Sequence, residues 1–187
     1  FQRQRHWIAP STRPAPGEGT RLGDLLYEVT WRPVSLPALP ASVEGTWVIL
    51  GRGGDGGDGG GRGGLGDELG GVLAGRGAEV VAVSEDEGLP GLEWALRETP
   101  AVSGIVLLWD LPEGDDSGDD LRGVRRALAV TQLVLRLGVD APVCIVTRGA
   151  QVVTAEEGGV GNAPVLPGQT ALWGFARAAR LEHPGLI

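Results

Sequence analysis

The sequence predicts an α/β fold, Rossmann-like and doubly wound, with a mostly parallel sheet and a degenerate glycine-rich loop. Two observations predict it. Short apolar runs rich in β-branched residues alternate with segments of helical spacing from residue 46 onward. Those runs are apolar on both strand faces, which calls for helices on both sides of the sheet and so for parallel strands.

The elements follow in order. Residues 8–20 are rich in proline and small residues and read as a linker. Leu25, Tyr27, Val29 and Trp31 alternate with Leu26, Glu28 and Thr30, the period of a half-buried strand. A second proline-rich link covers 33–40. Strands are then expected at Thr46–Leu50, Glu79–Val83, Gly104–Trp109 and Val143–Thr147, with helices near 66–75, 90–98 and 119–137. Leu121, Val124, Leu128, Thr131 and Leu135 trace one face of the longest helix, and Gly138 stands where a C-terminal cap belongs. In the final helix Leu172, Phe175, Ala176 and Ala179 form an apolar face, while Arg177 and Arg180 lie near its C-terminal end. Pro167 precedes that helix and Pro184 ends it.

Composition narrows the function. The 187 residues suit one domain with a core large enough to fold alone. A net charge of −8 argues against a nucleic-acid partner, which would need a basic face. No run approaches the ~20 apolar residues of a membrane span, and no secretory signal opens the chain. The lone cysteine, Cys144, sits in an apolar run and is expected to be a small buried hydrophobe. With no internal disulfide possible, a reducing, cytoplasmic location is expected. His6 and His183 have no zinc-ligand spacing around them, and no metal site is expected.

Residues 51–66 read GRGGDGGDGGGRGGLG. A G-x-G-x-x-G fingerprint can be laid on Gly51, Gly53 and Gly56, on Gly59, Gly61 and Gly64, or on Gly61, Gly63 and Gly66. Glu85 or Asp86 then falls near the distance of a ribose contact. Yet the register at Gly51 meets the strand and leaves the helix far off, and the register at Gly66 does the reverse. Asp55 and Asp58 would also repel phosphate. The tract therefore reads as an expanded loop, with no cofactor-binding residue assigned in the chain. Gly53–Asp58 matches part of a calcium nonapeptide, but once only and without tandem neighbours.

Three stretches, in order, carry a family resemblance. Phe1-Gln-Arg-Gln-Arg-His-Trp7 resembles the end of the linker that follows an acyltransferase domain in modular polyketide synthases. Leu25-Leu-Tyr-Glu-Val-Thr-Trp31 is similar to the opening strand of the ketoreductase structural subdomain of such synthases. Val146-Thr-Arg-Gly-Ala150 followed by Gln169-Thr-Ala-Leu-Trp-Gly-Phe-Ala-Arg-Ala-Ala-Arg180 looks like the end of that subdomain. The resemblance divides the chain into a post-acyltransferase linker at 1–20 and a structural subdomain at 21–187, cut before the catalytic subdomain. It implies a short-chain dehydrogenase/reductase-like half that has lost cofactor binding and stabilises a partner half. That partner would bind NADPH and reduce a β-ketoacyl chain on an acyl carrier protein. It also implies neighbouring ketosynthase and acyltransferase domains. The all-arginine basic set, without lysine, fits a high-GC actinomycete gene in antibiotic biosynthesis.

The chemistry of such reductases needs a Tyr-x-x-x-Lys pair, the tyrosine protonating the developing alkoxide and the lysine lowering its pKa. This chain has one tyrosine, Tyr27, and no lysine. No catalytic residue is therefore expected, and the expected role is that of a silent scaffold. Its interface with the catalytic half is expected at Tyr27, Trp31, Trp173, Phe175, Arg177 and Arg180. Two rivals are a freestanding NAD(P)-binding enzyme using residues 51–66 and a carrier-protein-binding module. The second would need Arg122, Arg125, Arg126 and Arg136 to form a local basic patch.

Overall fold

A computed structural model describes residues 2–4, 30–32, 34–35, 37–38, 40–51, 64–109, 121–152 and 165–187. Two compact units emerge, one from Phe1–Ala38 with Val152–Ala163, the other from Leu39–Gln151 with Pro164–Ile187. The first unit holds an antiparallel pair, β1 (Gln2–Gln4) with β2 (Thr30–Arg32), in which Arg3 faces Trp31. β1 falls in a stretch read from sequence as linker. Three polar residues carry no apolar period, so nothing local announced a strand.

The second unit is the Rossmann-like body. β3 (Thr46–Leu50), β4 (Glu79–Val83), β5 (Val102–Leu107) and β6 (Val143–Ile145) form a parallel sheet in the order β4-β3-β5-β6. Helices α1 (Leu65–Ala74), α2 (Gly88–Glu98) and α3 (Arg122–Leu137) make the crossovers, and α4 (Pro167–Glu182) follows β6 beside α3. The chain steps one way from β3 to β4 and then back past β3 to β5 and β6. Crossovers of one hand therefore put α1 on one face and α2 and α3 on the other. The core divides accordingly. Val48, Leu50, Ile105, Leu107 and Val143 pack against α2, α3 and Leu172 of α4, whereas Ile49, Val106 and Leu108 meet Leu69 and Leu73 of α1.

Several expectations shift. β5 starts at Val102, and its expected last residue, Trp109, turns off the strand so that its indole N–H reaches the Val83 carbonyl at 3.2 Å. β6 is shorter than Val143–Thr147, although the Val146 N–H still donates to the Leu107 carbonyl at 3.2 Å. α3 begins at Arg122; Asp119 and Asp120, expected to start it, lie outside the described residues. Its end is as expected: Gly138 adopts φ 66°, and the N–H groups of Gly138 and Val139 bond back to Leu135 and Val134.

The stripe assigned to α3 is corrected. The buried face is Ala127, Val130, Thr131, Leu133 and Val134; of the expected stripe Thr131 belongs to it and Val124 is half-buried. Leu121, Leu128 and Leu135 are 50%, 44% and 44% exposed. Spacings of three and four hold for any face of a helix, and the sheet chose the neighbouring one. Cys144 is also corrected, because it is exposed. β6 is the sheet edge and Cys144 alternates with inward-facing Val143, while α1 contacts β3 and β4. Partial desolvation pushes its thiol pKa up.

The turn that leads into α2 is closed by a reciprocal Ser84–Glu87 pair. The Glu87 carboxylate accepts from the Ser84 N–H (2.8 Å) and hydroxyl (2.9 Å), and the Glu87 N–H donates back to the Ser84 hydroxyl (3.3 Å). The Ser84 backbone bond, then its hydroxyl, holds the Glu87 pKa below the usual carboxylate value. Because the folded pKa is lowered, this contribution is full above the unfolded value near 4.5 and is lost as pH falls through the folded one. We predict that Glu87→Gln lowers the urea midpoint slightly at neutral pH, and that the gap to wild type closes in acid. An unchanged gap at low pH would show that the carboxylate charge plays no part.

Candidate functional site

In a doubly wound sheet, ligands bind outside the carboxyl ends of the strands where the strand order reverses. Here that point lies between β3 and β5, which leave the sheet at Gly51 and Leu108. Gly51 and Gly66 touch there. A Cβ on Gly51 would stand 3.4 Å from the Gly66 Cα, and one on Gly66 would stand 3.5 Å from the Gly51 Cα. The first glycine of one register and the last of another are thus in contact across the intervening stretch. Gly51 directly follows β3, Gly66 lies in the first turn of α1, and residues 52–63, between them, lie outside the described residues.

The remaining walls of this crevice are side chains. The Val83 carbonyl accepts from both the Gly51 N–H (3.2 Å) and the Trp109 indole (3.2 Å). Trp109 is 3% exposed, with the Arg126 guanidinium 6.0 Å from its ring centroid. Glu85, just past β4, accepts from both Arg122 and Arg126, the latter at 2.5 Å. At the start of α1 the Asp67 carboxylate accepts from the Gly64 N–H at 3.1 Å. Asp55 and Asp58 lie outside the described residues. Among the described residues no group of His, Cys, Asp and Glu could hold a metal ion.

The residues assigned to an interface are distributed as follows. Tyr27 lies outside the described residues, and Trp31 sits in β2 of the first unit. In α4, Leu172 and Ala179 are buried and Phe175 packs against the main core. Trp173 is half-buried beneath Arg177, whose guanidinium is 4.9 Å from its ring centroid, and Arg180 is exposed. The arginines of α3 are largely offset by carboxylates: Arg122 and Arg126 by Glu85, and Arg136 by Glu93 at 3.3 Å.

Sequence reading missed the outer surface of α3 and α4. Leu121, Leu128 and Leu135 recur at seven-residue steps and project on one flank. Ala129, Leu133 and Arg136 face the groove of about 290 Å³ against α2. On α4, Leu181 is 83% exposed, and Gly174 has open space where a Cβ would stand.

The parallel sheet, with helices on both faces and a crevice at the reversal of strand order, defines an α/β domain of the Rossmann-like class. The chain belongs to the family described as Polyketide synthase extender module SpnB, Rossmann fold domain, which matches residues 29–187. Its relatives include polyketide synthase GfsB of Streptomyces halstedii, 32% identical over 84% of this chain and 3% of that protein. Erythronolide synthase EryA3 of Saccharopolyspora erythraea is 30% identical over 98% of this chain and 5% of its own length. A solved C2-type ketoreductase from a modular polyketide synthase superposes with a TM-score of 0.58 at 26% identity, over 83% of this chain and 32% of that one. The chain therefore spans a small part of the synthases and about a third of the ketoreductase. It is a ketoreductase-associated Rossmann domain of the modular polyketide synthase family.

Proposed function

We propose that this chain is the structural half of an NADPH-dependent β-ketoacyl reductase domain, silent by itself, which stabilises the catalytic half. On this reading residues 1–20 are a post-acyltransferase linker and 21–187 the subdomain. NADPH and the catalytic residues belong to the partner half, and the neighbours are ketosynthase, acyltransferase and acyl carrier protein domains in the cytoplasm.

The observation that carries the proposal is the apolar outer surface of α3 and α4. Leu128 and Leu135 on α3, Leu121 just before it and Leu181 on α4 are exposed although the core beneath both helices is closed. Fully burying an exposed leucine contributes about 1.5–3 kcal/mol; three of the four are already about half covered, and what remains of them with Leu181 supports an interface. The absence of lysine and of a second tyrosine supports a scaffold over an enzyme. Trp173 with Arg177, and Arg180, border this surface on α4 and complete the proposed contact. Tyr27 and Trp31 of the opening strand are proposed to contribute from the first unit.

The test is calorimetric titration with NADPH, joined to thermal melts with and without the catalytic half. No binding up to millimolar cofactor, and a higher melting temperature in the complex, are expected. Saturable micromolar binding by this chain alone, or equal melting temperatures, would overturn the reading.

A further inference from the structure

We infer that the crevice at the strand-order reversal is filled by the chain's own side chains, with the Trp109 indole lying where the base of a nucleotide would lie. The inference rests on the proposed loss of cofactor binding and gives its physical cause. Trp109 leaves β5 and donates to Val83 of β4, so its ring spans the end of β3, which lies between those strands. That is the crevice outside the carboxyl ends. The ring is 3% exposed and belongs to the main core cluster, so it is a fixed part of the fold.

The polar positions around it are taken as well. An acidic residue past the second strand of such a motif accepts from ribose hydroxyls. Glu85 holds that place, and its carboxylate accepts from two guanidinium groups of α3 instead. Arg126 ties the two parts together, because it bonds Glu85 and also lies over Trp109. The first turn of α1, where backbone N–H groups would meet a pyrophosphate, carries the Asp67 carboxylate on the Gly64 N–H. An aromatic ring, a cation on the acidic group and an anion at the helix start thus take the places of base, sugar and phosphate.

The test uses the whole chain and adenosine monophosphate as the probe, with indole as a control. Trp109→Ala should melt below wild type. Adenosine monophosphate at about ten times its Kd should then raise the variant's melting temperature by about 3–6 °C while leaving wild type unmoved. A variant that neither adenosine monophosphate nor indole shifts, or one that indole alone shifts, would overturn the inference. So would an equal shift in wild type. Should Trp109→Ala fail to fold, Trp109→Leu keeps apolar volume in the core and is read by the same criteria. The two proposals fail separately. Binding of NADPH by wild type removes the scaffold reading, whereas an inert wild type with unresponsive variants removes only the filled crevice.

Discussion

Gly104→Ala is expected to cost the domain about 1–3 kcal/mol, although it adds a single methyl group. Gly104 lies in β5 directly opposite Trp47 of β3, and the indole rests on its backbone. A Cβ there would stand 2.6 Å from the ring's Cζ3 and 2.9 Å from Cε3. A real Cβ does not tolerate such distances, so the ring or the strand must move. The ring is a flat, rigid body whose Nε1 is buried without a hydrogen-bond partner among the described residues, so it is seated there by packing. Displacing it disturbs the α1 side of the core, where it packs with Ile49, Val106 and Leu108. Urea unfolding should show a lower midpoint with an unchanged slope. Adding Trp47→Leu should recover part of the loss, because contacting residues do not act additively. An unchanged midpoint for Gly104→Ala would mean that the ring slides freely.

The second large effect concerns association. Leu128→Asp with Leu135→Asp should cost the isolated chain only about 1–3 kcal/mol, since each side chain is 44% exposed and the rest of it packs on the domain. Binding to the catalytic half should weaken about 10- to 100-fold, from the lost burial of the exposed part of two leucines. Val130→Asp is the contrast, because Val130 is 0% exposed and its loss should unfold the domain. Undiminished association of the double variant, measured by calorimetry, would move the interface elsewhere on the domain.

Much of this architecture is legible before any coordinates. Val48, Leu50, Ile105 and Val143 sit in apolar runs that could only be strands covered on both faces. Gly138 marks the end of α3 because the left-handed turn there favours glycine. The Ser84-x-x-Glu87 spacing is a capping-box pattern that marks the turn before α2, while the helix itself begins only at Gly88. Trp109 carried no such signal. At the end of an apolar run it reads as one more strand residue, and its role depends on the distance to a carbonyl on β4.

The sequence by itself determined the alternation of strands and helices, the family resemblance and the missing Tyr-x-x-x-Lys pair, because each is a matter of residue type and spacing along the chain. Only the tertiary structure decided which face of α3 was buried, that Cys144 stands exposed at an edge strand, and that Gly51 and Gly66 touch. A helix offers several faces with the same three- and four-residue spacing, and a turn can be closed across any length of inserted loop. The choice among them is made by what packs against them, and those neighbours are distant in sequence.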